Sequence, residues 1–180
     1  MKHGYQIYDA STAPLASREL LGAVQKNFGM IPNSLATMAE SPETLQAYLT
    51  IGELAAKSSL SPLEQQVVML TVAREHECPY CVPAVATLAK SHGVPVEHVR
   101  NIVDCEPLGD DRLDALRSFT SSVVRGRGWV TDEEVATFFR HGYNRRNILE
   151  LILITAMKSI AIYANHIVDP DLDDAFVAER

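Results

Sequence analysis

Three cysteines among 180 residues are too few to scaffold a fold, and a chain of this length does not need them. It removes roughly 70% of its unfolded surface from water through an ordinary core. Basic residues are also scarce, 16 Lys and Arg against 23 Asp and Glu for a net charge of -7, and they form no cluster. That balance speaks against a nucleic-acid surface or an anionic membrane as partner. The N-terminal MKHGYQIYDASTAPLAS lacks the unbroken apolar run of a secretory leader, which points to the reducing cytoplasm. In such a compartment, closely spaced cysteines imply metal or redox chemistry. Strand alternation and hairpin dipeptides are missing as well.

Helix punctuation is abundant. Leu15, Leu20, Leu21, Val24 and Phe28 fall at three- and four-residue spacings before Gly29 and Pro32, the mark of a first amphipathic helix. Ser41-Pro42 and Ser61-Pro62 each place a capping oxygen before a proline at the first helical position. Ser61 with Glu64, and Thr131 with Glu134, have the spacing of capping boxes. A further helix opens at Asp111 with Leu113, Leu116, Phe119 and Val123 on its apolar face. The expected architecture is one all-α domain over residues 1–180, of about eight helices behind an N-terminal arm at 1–14. Trp129, Phe138 and Phe139 read as core. Residues Asn147 to Ile167 are apolar on most sides, broken by Glu150, Lys158, Asn165 and His166. Such a helix must be buried in the bundle or between subunits, so a homo-oligomer is expected and a membrane span is not.

The chemically informative stretch is REHECPYCVPA, residues 74–84. Pro79 suits the start of a helix and not its interior, so one helix should end near Glu77 and the next begin at Pro79, with Cys78 at its cap. Cys78 and Cys81 then lie within one turn, close enough for a disulfide. Half-ionising a thiol of ordinary pKa at neutral pH takes roughly 2 kcal/mol, whereas a helix terminus supplies about 0.3 to 1 and at best about 2 kcal/mol. Arg74 adds to that if it folds over the turn; Glu75 and Glu77 oppose it unless one is protonated and carries protons. A zinc site would have to recruit His76 or His92, without a second C-x-x-C to complete it. Cys105 reads as a packing residue, Glu64 as a capping partner, and Tyr80 as a group that packs against or tunes the sulfurs.

The segments FGMIPNSLATMAESPETLQAY, LSPLEQQVVMLTVAREHECPYCVPA, RGRGWVTDEEVATFFRHGY and ITAMKSIAIYANHIVDPDLDDAF resemble the carboxymuconolactone decarboxylase superfamily, in particular its alkylhydroperoxidase D-like members. The resemblance covers about four fifths of the chain. It implies an all-helical fold, symmetric homo-oligomers, and a C-x-x-C that reduces a hydroperoxide or disulfide substrate with electrons from a thiol donor and with no bound cofactor or metal. Two departures qualify it. Similar peroxidases carry a His four residues after the second Cys, where Val85 stands; many carry a Glu twelve residues before the first, where Gln66 stands. Glu75 is then the nearest acid, and a weakened peroxidase is expected. By resemblance Cys81 attacks and Cys78 resolves; as a cap sulfur, Cys78 looks the more exposed, so the order stays open. His166 looks like half of the family's terminal-helix Asn-His pair, a hydrogen-bonded core or interface group. The catalytic candidates are Cys78, Cys81 and Glu75. The alternatives are a non-catalytic oligomeric module, or a cofactor-free decarboxylase or isomerase of a lactone-like acid. CPYC is also a glutaredoxin motif, but helix caps on both sides exclude that fold.

Overall fold

A computed structural model describes residues 1–179, with side chains through 178. Among the described residues there are nine α-helices, one closing 3-10 helix and no strand. The helices are α1 (Leu15–Phe28), α2 (Asn33–Met38), α3 (Pro42–Ala55), α4 (Pro62–Glu75), α5 (Cys81–Ser91), α6 (Val96–Val103), α7 (Asp111–Arg125), α8 (Asp132–Arg140) and α9 (Arg145–Val168), followed by the 3-10 helix Asp174–Glu179. The helix beyond the expected eight is α2, whose six residues are too few to display a periodic face.

The caps form as the sequence indicates. Ser41 accepts the Thr44 N–H at 3.3 Å. Ser61 and Glu64 exchange bonds of 3.2 and 2.7 Å, and Thr131 and Glu134 do the same. Glu64 does more than cap: it is buried and also accepts from Tyr143 Oη at 2.9 Å and Arg112 Nε at 3.0 Å. Burial pushes its carboxyl upward, but the bonds from Ser61, Tyr143 and Arg112 outweigh that and hold it below the usual carboxylate range. α4 is the central helix, with contacts to α5, α6, α7 and α9. Its Val67, Val68, Leu70 and Val72 join Leu116, Phe119, Phe138 and Leu151 in the larger core. There Phe138 stacks between Phe119 and Tyr143, with centroids 4.4 Å away on each side.

α9 begins two residues earlier than the apolar pattern, because Asn144 caps it and forms a third reciprocal box with Asn147. By length and composition it could cross a membrane; here it packs along α3 and α4. Each polar interruption has its own fate. Glu150 is pinned by Ser59 N and Oγ at 2.8 and 2.6 Å and by Arg146 Nε at 2.8 Å. Asn165 and Lys158 are buried on the inner side. His166 is exposed, so the buried half of the Asn-His pair is the asparagine. Trp129 is corrected too: it is 88% exposed, standing on the turn after α7 where the chain reverses through Arg127 and Gly128 at positive φ. Phe138 is core and Phe139 partly buried against it.

Candidate functional site

α4 ends at Glu75, two residues before the expected point, in a Schellman turn. The Cys78 N–H reaches back to Ala73 O at 3.2 Å and the Glu77 N–H to Arg74 O at 2.9 Å. Glu77 takes the left-handed position with φ 51°, which costs a non-glycine residue about 1 to 2 kcal/mol. The reversal delivers Cys78 to the head of the next helix. α5 is regular from Cys81, yet Cys78 behaves as its cap. The Cys78 carbonyl accepts from Val82 N–H at 3.1 Å, and its sulfur accepts from Cys81 N–H at 3.2 Å. Pro83 removes only the bond that would have reached Pro79, since Val82 and Ala84 bond normally on either side.

Cys78 and Cys81 are joined as a disulfide, with Cα atoms 5.2 Å apart. Neither sulfur stands on the outer surface: Cys78 is 0% and Cys81 2% exposed. The expectation that the cap sulfur would be the more exposed is therefore not met. Cys81 instead lines a cavity of about 680 Å³ between α1, α3, α4, α5 and α9, and Cys78 does not. The wall is mostly apolar, with Val85 and Leu88 from the sulfur-bearing helix and Met69 from α4.

The sulfur of Cys81 is held from α9, where the Asn165 side-chain amide donates to it at 3.2 Å. Asn165 is oriented in turn by Ser34, whose hydroxyl donates to the amide oxygen at 2.7 Å. Ser34 also gives its N–H to Tyr80 Oη at 3.2 Å, and Tyr80 donates to Asp173 at 2.5 Å. The Tyr80 ring meets Phe176 edge-on at 6.1 Å. Burial, reinforced by the bond to Asp173, pushes the Tyr80 phenol far above its usual range, so it stays a protonated donor. α2, α9 and the C-terminal 3-10 helix thus converge on the dithiol. The sequence reading missed Asn165, Ser34 and Asp173 in this role. An asparagine interrupting the apolar pattern in the last turn of α9 is the one available signal, and it points to burial without naming a partner.

Glu75 is not on this cavity. It pairs with Arg125 at 2.6 Å and lines a separate recess of about 300 Å³ with Arg74, Arg117 and Cys105. Arg74 does not fold over the cysteine turn either; it donates to Val103 O at 2.8 Å. Cys105 is exposed rather than packed. Gln66 does line the Cys81 cavity, with Nε2 3.3 Å from His92 Nδ1 and its Oε1 buried without a partner. His76 Nδ1 sits 2.9 Å from Val72 O, and among the described residues no three His, Cys, Asp or Glu side chains gather as metal ligands would.

Residues 42–105 match the model of the carboxymuconolactone decarboxylase family. No curated protein matches the chain. Among solved structures, the fold is similar to an alkylhydroperoxidase AhpD core, an uncharacterized peroxidase-related protein from Ralstonia eutropha JMP134, with TM-score 0.85 and 18% identity over 96% of this chain and 93% of that one. A peroxidase-related protein from Silicibacter sp. TM1040 gives 0.82 and 19% over 97% and 92%. A cysteine-to-alanine form of the debrominase Bmp8, in complex with 2,3,4-tribromopyrrole, gives 0.84 and 16% over 99% and 96%.

Proposed function

We propose that the chain is a dithiol-dependent reductase of organic hydroperoxides, a reading supported by the match of residues 42–105 to the carboxymuconolactone decarboxylase family model and by the AhpD-like all-helical fold. The observation that carries this is the position of Cys81. It is already within bonding distance of a second cysteine, it faces a mostly apolar cavity, and it receives a hydrogen bond from Asn165. A donor aimed at sulfur favours the thiolate over the thiol, and the thiolate is the nucleophile.

In the proposed reaction the Cys81 thiolate attacks the outer oxygen of ROOH. An S–O bond forms, the O–O bond breaks, and RO⁻ leaves to take up a proton as the alcohol. Cys78 then attacks the sulfenic sulfur, the disulfide forms, and water departs. The enzyme has given up two electrons, and an external thiol donor in a reducing compartment such as the cytoplasm returns them. Glu75 has no part in these steps from where it stands. Val85 supplies no proton, so Asn165 alone assists the thiolate, and the reaction is slow at neutral pH and rises as more thiolate forms.

The debrominase, with its small halogenated ring, favours a second substrate class. The same dithiol would exchange an aryl bromide for hydrogen, yielding disulfide, bromide and a proton. Quantifying free thiols before and after cumene hydroperoxide tests the first reading. Two thiols lost per alcohol formed supports it; thiols at Cys78 and Cys81 that persist contradict it. Bromide release from a bromopyrrole, with no peroxide consumption, would transfer the assignment to the second.

A further inference from the structure

Peroxide chemistry at Cys81 makes no use of Lys158. This residue is 5% exposed and lines the same cavity, and among the described residues its ammonium has neither a hydrogen bond nor an ion pair. The other titratable groups on the cavity wall are Tyr48 and Glu53 from α3, Tyr80 and Cys81 at the head of α5, and His92 at its end. Glu53 is the one acid among them; it is exposed and forms no ion pair with Lys158. The nearby Asp173 is occupied by Tyr80. A buried ammonium without an acceptor works against folding, and a methionine of similar length would fill the space without that cost. The buried Gln66 Oε1, also without a partner, is a second polar atom on this wall that the fold leaves unsatisfied.

Placement gives the unmet charge a direction. Lys158 and Asn165 lie seven residues apart on the inner face of α9, hence two turns and about 10 Å along the axis. Between them the wall is Ala161, too small to close the space. Asn165 marks the sulfur end of the cavity, and Lys158 stands two turns away. A volume of about 680 Å³ is in the range that small-molecule sites occupy.

We infer that the cavity takes an apolar monocarboxylic acid, its carboxylate on Lys158 and its reacting group at Cys81. The inference rests on the reading of Cys81 as the reacting sulfur and adds the chemical class of the molecule presented to it. The carboxylate supplies the acceptor that the fold withholds, and the apolar body fills the wall formed by Leu49, Met69 and Met157. Pairing an ammonium with a carboxylate is a charge-assisted bond, stronger than the bond a neutral amide can accept.

Calorimetric titration of the disulfide form with 4-isopropylbenzoate and 4-isopropylbenzamide tests this without any turnover. At pH 7 the benzoate is expected to bind at least about tenfold tighter than the amide. The preference should disappear in Lys158→Met and persist in Lys158→Arg. Equal binding of the two probes by wild type, no binding of either, or a benzoate preference that survives in Lys158→Met overturns the inference. Reduction of cumene hydroperoxide is measured alongside on wild type. Benzoate preference without peroxide reduction overturns the redox reading and leaves the acid site standing; peroxide reduction without benzoate preference overturns the acid site alone.

Discussion

The side-chain amide of Asn165 points its N–H at the sulfur of Cys81 from 3.2 Å, across 84 residues of sequence. A hydrogen bond to a charged acceptor contributes about 1.5 to 3 kcal/mol, so its loss should cost roughly tenfold to a hundredfold in thiolate at neutral pH. In Asn165→Ala, reduced with a phosphine, the pH at which Cys81 is half as reactive toward iodoacetamide as its maximum should move up by about one unit or more. A residue that only packs would lower the melting temperature and leave that pH profile where it was.

Val85 follows Cys81 by four residues on α5, which puts both on one face of the helix. Replacing Val85→His should place an imidazole beside the sulfur and raise the rate with cumene hydroperoxide at pH 7 by about tenfold to a hundredfold. Stopped-flow kinetics would show it. If the ring is misdirected by the proline two residues earlier, the combination with Pro83→Ala should recover the gain. Wild type that already reacts briskly at neutral pH, and loses that rate in Glu75→Gln, would contradict the account and require a relay reaching the sulfur from the Arg125 side.

The sequence made the helices, their caps and the cysteine pair legible because each depends on local spacing: a proline after a serine, a glutamate three residues on, two cysteines within a turn. The cavity was not legible, because its walls come from α1, α3, α4, α5 and α9 and no local pattern says which faces meet. Glu75 shows the limit well. Three residues from Cys78 in the chain, it leaves on the opposite side, since the Schellman turn at Glu77 reverses direction between them. Asn165, 84 residues from Cys81, arrives at the sulfur. Trp129 failed for a related reason: hydrophobicity predicts burial only where an element carries the residue inward, and Trp129 rides on an outward turn.

Burial lowers the Lys158 pKa from 10.5 to about 8, and this fixes a sign for stability. The unfolded chain keeps the proton up to pH 10.5 and the folded chain gives it up near 8, so folding is penalised in full below pH 8 and the penalty fades as the pH rises to 10.5. The difference corresponds to roughly 3 kcal/mol. Lys158→Met should therefore be more stable than wild type at pH 7 in urea melts, with an advantage that shrinks steadily toward pH 10.5. An advantage independent of pH would mean that the ammonium is solvated.

Leu149, Ile152, Tyr163 and Ile167 are all exposed on α9, and at 100° per residue they fall within about 60° of one another. A stripe of this kind along a 24-residue helix suits a symmetric contact with a second copy. Light scattering should give at least twice the 19.8 kDa of one chain, and Leu149→Lys with Ile152→Lys should return it to the single mass. Wild type at 19.8 kDa at micromolar concentration would contradict the assembly.

Cys81, which lines the cavity, and not Cys78, which is sealed behind it, is the sulfur that meets the substrate in this account. Trapping with dimedone after one equivalent of cumene hydroperoxide, read by peptide mass spectrometry, decides it. The account predicts a sulfenic-acid adduct on Cys81 in the Cys78→Ser protein and none on Cys78 in the Cys81→Ser protein. An adduct on Cys78 in Cys81→Ser, with Cys81 unmodified in Cys78→Ser, would contradict it.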